Sequence, residues 1–196
     1  MTSVRALRHR LGSNQDGVTI VEFALIAPVL LLMLLGTYDL GYVLYVDSML
    51  QGSIQEAGRR STIEGSTAAS MDLIVSTAVK RVVPDATLTF TRKSYATFSE
   101  VGSPEAFSDI DGNGVCNNGE PYEDANGNSS WDSDRGKAGL GGARDAVVYT
   151  ARVTYPRPFA MAGMFGFSPL VTLSSATVLR NQPFAAQAAT VTTKNC

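Results

Sequence analysis

The sequence predicts an α+β protein in which one long N-terminal apolar helix runs on into a soluble domain made of a second helix and an antiparallel sheet. Three observations predict it. Between Phe23 and Tyr38 the chain carries no charged residue, a run that suits a helix crossing an apolar medium. Stretches ending near Arg60 and running from Met71 to Val83 place apolar residues at helical spacing. Three later runs alternate β-branched or aromatic residues with polar ones, which is the two-residue period of strands. Helices first and strands after is the order of a domain whose helices lie on one face of an antiparallel sheet.

The chain has 196 residues, 44% of them hydrophobic, enough for one modest globular domain and one further segment. That segment is N-terminal. Arg5, Arg8 and Arg10, with His9 among them, precede the apolar run, whereas acidic residues crowd between Glu100 and Asp134. A net charge of −2 speaks against nucleic acid as a partner. The charge asymmetry predicts a cytoplasmic basic leader over residues 1–17 and a single membrane pass, N-terminus inside and C-terminal domain exported. About 20 helical residues cross a bilayer's hydrocarbon core, so Val18 to Tyr38 suffices. Apolar character resumes past Asp39 through "LGYVLYV", which extends the transmembrane segment to 18–46 and leaves 47–196 as the globular domain. A cleaved secretory signal is the rival reading. It fits poorly, because the run exceeds an ordinary h-region and "LGTYDLG" puts Tyr and Asp where a small-x-small site belongs.

A plain anchor leaves Glu22 unexplained, since an ionised carboxylate is expensive in lipid. The stretch "GVTIVEFALIAPVLLLMLLG", Gly17 to Gly36, resembles the class III signal of type IV pilin-like proteins, and most closely the TadE-like pseudopilins, minor pilins of the tight-adherence (Flp) pilus system. The resemblance continues in "SMLQGSIQEAGRR" and, near the C-terminus, in "SATVLRNQPF". It covers the first third of the chain and a short late piece. It implies a pilin-like fold and cleavage by a prepilin peptidase after Gly17. Val18 would then be the first mature residue, Glu22 the fifth and Phe23 the sixth. Implied partners are that peptidase, other pilin or pseudopilin subunits, inner-membrane pilus assembly proteins and membrane lipid. A new amine at Val18 and the carboxylate of Glu22 share a helix face. They can pair within one chain or between neighbours, and in a medium where an unpaired charge is costly such a pair sets the packing register. The bland alternative is that Glu22 snorkels to the headgroups.

Past the membrane the helix continues to about Arg60, with Val43, Val46, Met49, Leu50 and Ile54 on its apolar side and Arg59 and Arg60 at its C-terminal end. "STIEGSTAAS" breaks it. Leu73, Ile74, Ala78 and Val82 then mark a second helix, which Pro84 stops. "ATLTFTRKSYATF", "DAVVYTARVTYP" and "PLVTLSSATVLR" read as strands. Between the last two, "RPFAMAGMFGFSP" is apolar and glycine-rich, either a buried loop or a membrane-proximal contact.

The segment 109–134 interrupts this pattern as a calcium-loop insertion. "DIDGNGVCNNGE" satisfies the D-x-[DN]-x-[DN]-G-x5-E loop, with Asp109, Asp111 and Asn113 as oxygen ligands, Gly114 at the turn, the Val115 carbonyl next, and Glu120 as the closing carboxylate. A hard cation takes several oxygens, and this spacing wraps them around one centre. The start recurs at Asp124, Asn126, Asn128 and Asp132, but Ser129 replaces the glycine and Arg135 the glutamate. Asp132 or Glu123 would then complete a shared site. The flanks "EAFS" and "PYED" do not read as helices, so the expected role is structural calcium and not a sensor. A solvated turn cluster is the alternative.

Cys116 and Cys196 are the two cysteines. An even count in an exported domain favours a disulfide fastening the C-terminus to the loop, with free thiols or an intermolecular bridge as alternatives. The single histidine lies in the leader and no phosphate-binding glycine motif opens a helix, so the chain does not read as an enzyme. Two functions remain: the pseudopilin, or a permanently membrane-anchored calcium-binding or adhesive module outside the cytoplasm. Processing after Gly17 separates them.

Overall fold

The computed structural model describes residues 16–61, 67–159, 163, 166–180 and 191–196. The leader up to residue 15 and the "NQPF" part of the late motif lie outside the described residues. Helix α1, Asp16–Ser61, is one continuous helix of 46 residues, about 69 Å long. Pro28 lies inside it and removes one backbone donor. The apolar residues of its first half face outward: Val18, Ile20, Phe23, Leu25, Val29, Leu31 and Leu34 are all more than half exposed. The second half is a core element, because Val46, Leu50, Ile54 and Ala57, spaced at helical turns, are buried. Among the described residues α1 is the one helix long and apolar enough to cross a membrane.

Helix α2, Ala68–Val82, begins a turn before the Met71 expected from its apolar spacing. Thr67 supplies the reason. Its hydroxyl accepts from the Ser70 amide while the Ser70 hydroxyl accepts from the Thr67 amide, a capping box with serine in place of the usual Glu or Gln. Met71, Val75 and Val79 form its buried stripe. The Tyr42 hydroxyl donates to the Val82 carbonyl at 3.1 Å and ties α1 to the end of α2.

Six strands follow: β1 Thr87–Tyr95, β2 Pro121–Asp124, β3 Lys137–Ala138, β4 Ala146–Pro156, β5 Leu170–Arg180 and β6 Thr192–Asn195. The three long ones coincide with the three alternating runs in the sequence. With the short β3 they form a four-stranded antiparallel sheet in the order β3-β1-β4-β5, and β2 pairs with β6 in a second sheet. The alternation of β4 explains the layering, since Val147, Tyr149, Ala151, Val153 and Tyr155 are buried and face the helices. Gly58 lets α1 lie close on β5, where an added Cβ would come within 2.9 Å of the Leu179 side chain.

One polar cluster is built into this core. The Tyr149 hydroxyl donates to Asp72 Oδ1 at 2.8 Å, Arg92 pairs with the same carboxylate, and the guanidinium stacks 5.0 Å from the Tyr149 ring. Burial and then the Asp72 carboxylate push the Tyr149 phenol well above its ordinary range. Asp72 thus locks α2 onto β1 and β4.

Candidate functional site

The insertion expected from residues 109–134 folds as two consecutive loops on the small β2–β6 sheet. In the first, the Asp109 carboxylate accepts the amides of Gly112, Asn113 and Gly114 at 2.8, 3.1 and 2.9 Å. Asp111 Oδ1 accepts the Asn113 amide and Asn113 Oδ1 the Val115 amide. Glu120 is buried, and its carboxylate accepts the amides of Ile110, Asp111 and Asn117. Gly112 and Gly114 sit at φ 72° and 76°, where a side chain would be strained. One oxygen from each of Asp109, Asp111 and Glu120 lies within 4.8 Å of the others.

The second loop repeats these backbone-amide bonds. Asp124 accepts the amides of Gly127, Asn128 and Ser129 at 2.7, 3.1 and 3.0 Å. Asn126 Oδ1 accepts the Asn128 amide and Asn128 Oδ1 that of Ser130. Ser129 takes φ 65°, the conformation of Gly114 in the first loop. Asp132 joins through the side-chain amides of Asn126 and Asn128 at 2.7 and 2.6 Å.

The residue missing from the second copy comes from elsewhere in the chain. Glu105 is 1% exposed, and its carboxylate accepts the amides of Ala125, Asn126 and Asp132 at 2.9, 3.4 and 3.1 Å. These positions correspond one for one to Ile110, Asp111 and Asn117 around Glu120. Glu105 therefore does in the second loop what Glu120 does in the first. Sequence reasoning missed it because it lies upstream of its loop; its only local signal is a lone carboxylate in the apolar "PEAF". Glu123, expected as a ligand to complete a shared site, is instead on the exposed side of β2, 3.5 Å from Arg135. Strand alternation puts it opposite Asp124. Burial, then Asp124, Glu105 and Asp132, raises the Tyr122 phenol above its ordinary value.

Around the loops the chain is fastened covalently and by rings. Cys116 and Cys196 form a disulfide with Cα atoms 5.7 Å apart, the intramolecular pairing among the alternatives. The Cys196 amide donates to the Glu120 carbonyl and the Gly119 amide to the Cys196 carbonyl, so the C-terminal strand β6 holds the end of the first loop. The Trp131 indole donates to the Glu105 carbonyl at 2.9 Å and packs edge-on against Phe107. Among the described residues no α-helix flanks the loops.

The second candidate region is the start of α1. Gly17 stands at the beginning of the helix, Val18 and Phe23 are exposed, and Val18 and Glu22 lie one turn apart on one side. Among the described residues no side chain is paired with Glu22. Residues 17–59, which include this segment, match the family model of TadE-like proteins. No curated protein and no solved structure matches the chain.

Proposed function

We propose that the match over residues 17–59 reflects the work of the chain: a pseudopilin, a minor pilin-like subunit of the tight-adherence pilus machinery, cleaved by a prepilin peptidase after Gly17 and assembling through its apolar N-terminal helix. The observation that carries this reading is the bare first half of α1. Most of its apolar side chains are exposed, yet the match starts at Gly17 and takes in Glu22 and Phe23. Cleavage there creates an amine at Val18 one turn from Glu22, and packing against the same helix of a neighbouring subunit supplies partners for both the charge and the apolar face. The intact mass of membrane-extracted protein, co-expressed with a prepilin peptidase beside a Gly17→Ala variant, tests it. The wild type is expected to begin at Val18 and the variant to stay uncut. If both keep Met1 to Gly17 while a control substrate is cleaved, the permanently anchored calcium-binding or adhesive module replaces the pseudopilin.

The same reading gives the loops a structural calcium. The donors are all hard oxygens, as calcium requires. Asn117 Oδ1, at the ninth place of the first loop, is buried and meets no donor among the described residues, which suits an oxygen awaiting a cation or its water. Asp109, Asp111, Asn113, the Val115 carbonyl and Glu120 would hold one ion. Asp124, Asn126, Asn128, Asp132 and Glu105 offer a second set. Bound calcium would neutralise carboxylates that face one another and stiffen the outward end of the domain. Calcium is expected to raise the urea midpoint of the full chain and a chelator to lower it, with Asp109→Asn abolishing most of the difference; equal midpoints with and without calcium would remove the ion from the reading.

A further inference from the structure

The paired strands β4 and β5 run alongside α1 like a ruler. Leu179 of β5 lies on Gly58 of α1, and Tyr155, paired with Val171 of β5, packs edge-on against Tyr42. From Gly58 back to Tyr42 the helix rises about 24 Å, and from Leu179 to Val171 the strand covers about 26 Å. The two elements therefore stay level. Further toward the helix N-terminus, Arg157 pairs with Asp39, and Phe159 packs edge-on against Tyr38 with ring centres 5.3 Å apart. The Arg157 amide and Nε donate to the carbonyls of Pro169 and Ser168 at 2.9 and 3.1 Å, which brings the two ends of the connection together at the level of Asp39. Phe167 follows immediately beyond this clamp and is 64% exposed.

This level has a meaning for the bilayer. Measured from Val18, Tyr38 lies about 30 Å along the helix, one hydrocarbon thickness. The connection 158–169 carries no charged residue and three phenylalanines, the reverse of an ordinary solvated loop. Arg157 and Asp39 pair at its base and neutralise each other. Aromatic side chains with an apolar ring are favoured where headgroups meet acyl chains.

We propose that Phe159 and Phe167, at the two ends of the β4–β5 connection, form a second membrane contact by entering the outer-leaflet interface beside α1, with phospholipid as the occupant of this surface. The domain is then held at two points and cannot swing freely about α1. The inference rests on the reading that α1 is embedded in the bilayer.

The test places a tryptophan at each point of the full-length chain, Phe167→Trp or Leu31→Trp, in phosphatidylcholine vesicles whose acyl chains carry bromine near the headgroup or deep in the core. Native Trp131, the single tryptophan of the sequence, sits in the calcium-loop insertion and supplies a constant background and a check on folding. An interfacial ring lies about 5–10 Å below the surface, so shallow bromine is expected to cut the added Phe167→Trp emission roughly twofold. Deep bromine is expected to quench Leu31→Trp. Quenching of Leu31→Trp without quenching of Phe167→Trp overturns the proposal while leaving the helix in the membrane; a blue-shifted but unquenched Phe167→Trp does the same and assigns the surface to protein. If neither tryptophan is quenched, the membrane reading of α1 falls and takes the proposal with it.

Discussion

Replacing Glu105 by glutamine puts a number on the carboxylate that closes the second loop. The native side chain is 1% exposed and takes three amide protons, from Ala125 and Asn126 on Oε1 and from Asp132 on Oε2. Glutamine keeps the first oxygen without its charge and sets an NH2 group against the Asp132 amide, donor to donor. A hydrogen bond to a charged acceptor contributes about 1.5–3 kcal/mol, and a buried donor left without an acceptor costs about 1–3 kcal/mol. The expected loss is about 3 kcal/mol, or roughly 6–12 °C in melting temperature for a chain of this size. Trp131 reads the event locally, because its indole is bonded to the Glu105 carbonyl. Urea titrations of full-length protein in detergent, with chelator present, isolate the hydrogen bonds from any ion. Glu123→Gln, on the exposed side of β2, is the control and should shift stability by under about 0.5 kcal/mol. A Glu105→Gln midpoint indistinguishable from that control would refute the equivalence of Glu105 and Glu120.

Reducing Cys116–Cys196, which closes a sequence separation of 80 residues, should cost about 2–4 kcal/mol. Hydrogen exchange should quicken at the Cys196 and Gly119 amides; unchanged protection there would mean that β6 holds without the bridge. Asp39→Asn leaves the partly buried Arg157 guanidinium without its carboxylate, and a loss of about 2 kcal/mol in the urea midpoint is expected. Tyr149→Phe removes the hydroxyl that pairs with Asp72 and should destabilise by about 1.5 kcal/mol, with Thr87→Ala, on the exposed side of β1, near zero. Burial, and then the hydrogen bond to Asp134, raises the Tyr95 phenol to about 12. An unfolded tyrosine titrates near pH 10, so the stability this proton provides is complete below about pH 10 and is lost as pH rises toward 12. Urea midpoints that stay flat over that alkaline range would contradict the burial of Tyr95.

Much of this architecture is legible in the sequence because it depends on neighbours along the chain. The three alternating runs become β1, β4 and β5 nearly to the residue, since the period of two is set by the backbone itself. The first loop is legible for the same reason: Asp109 to Glu120 holds every member of its hydrogen-bonded ring in one short segment. The start of α2 was less so, because Ser70 stands where a glutamate usually marks a capping box. Strand β6 was not legible at all, as "TTKN" has no apolar alternation and becomes a strand by pairing with β2.

The sequence by itself determined the apolar helix, the helix and strand periods and the first loop, all properties of covalent neighbours and of residues one or two turns apart. Only the tertiary structure decided that Glu105 closes the second loop, that Cys116 meets Cys196, and that Phe159 packs against Tyr38. Each of these joins segments apart in the chain, and a distance in space between remote residues is set by the path of the folded chain and leaves no periodic mark in the order of its amino acids.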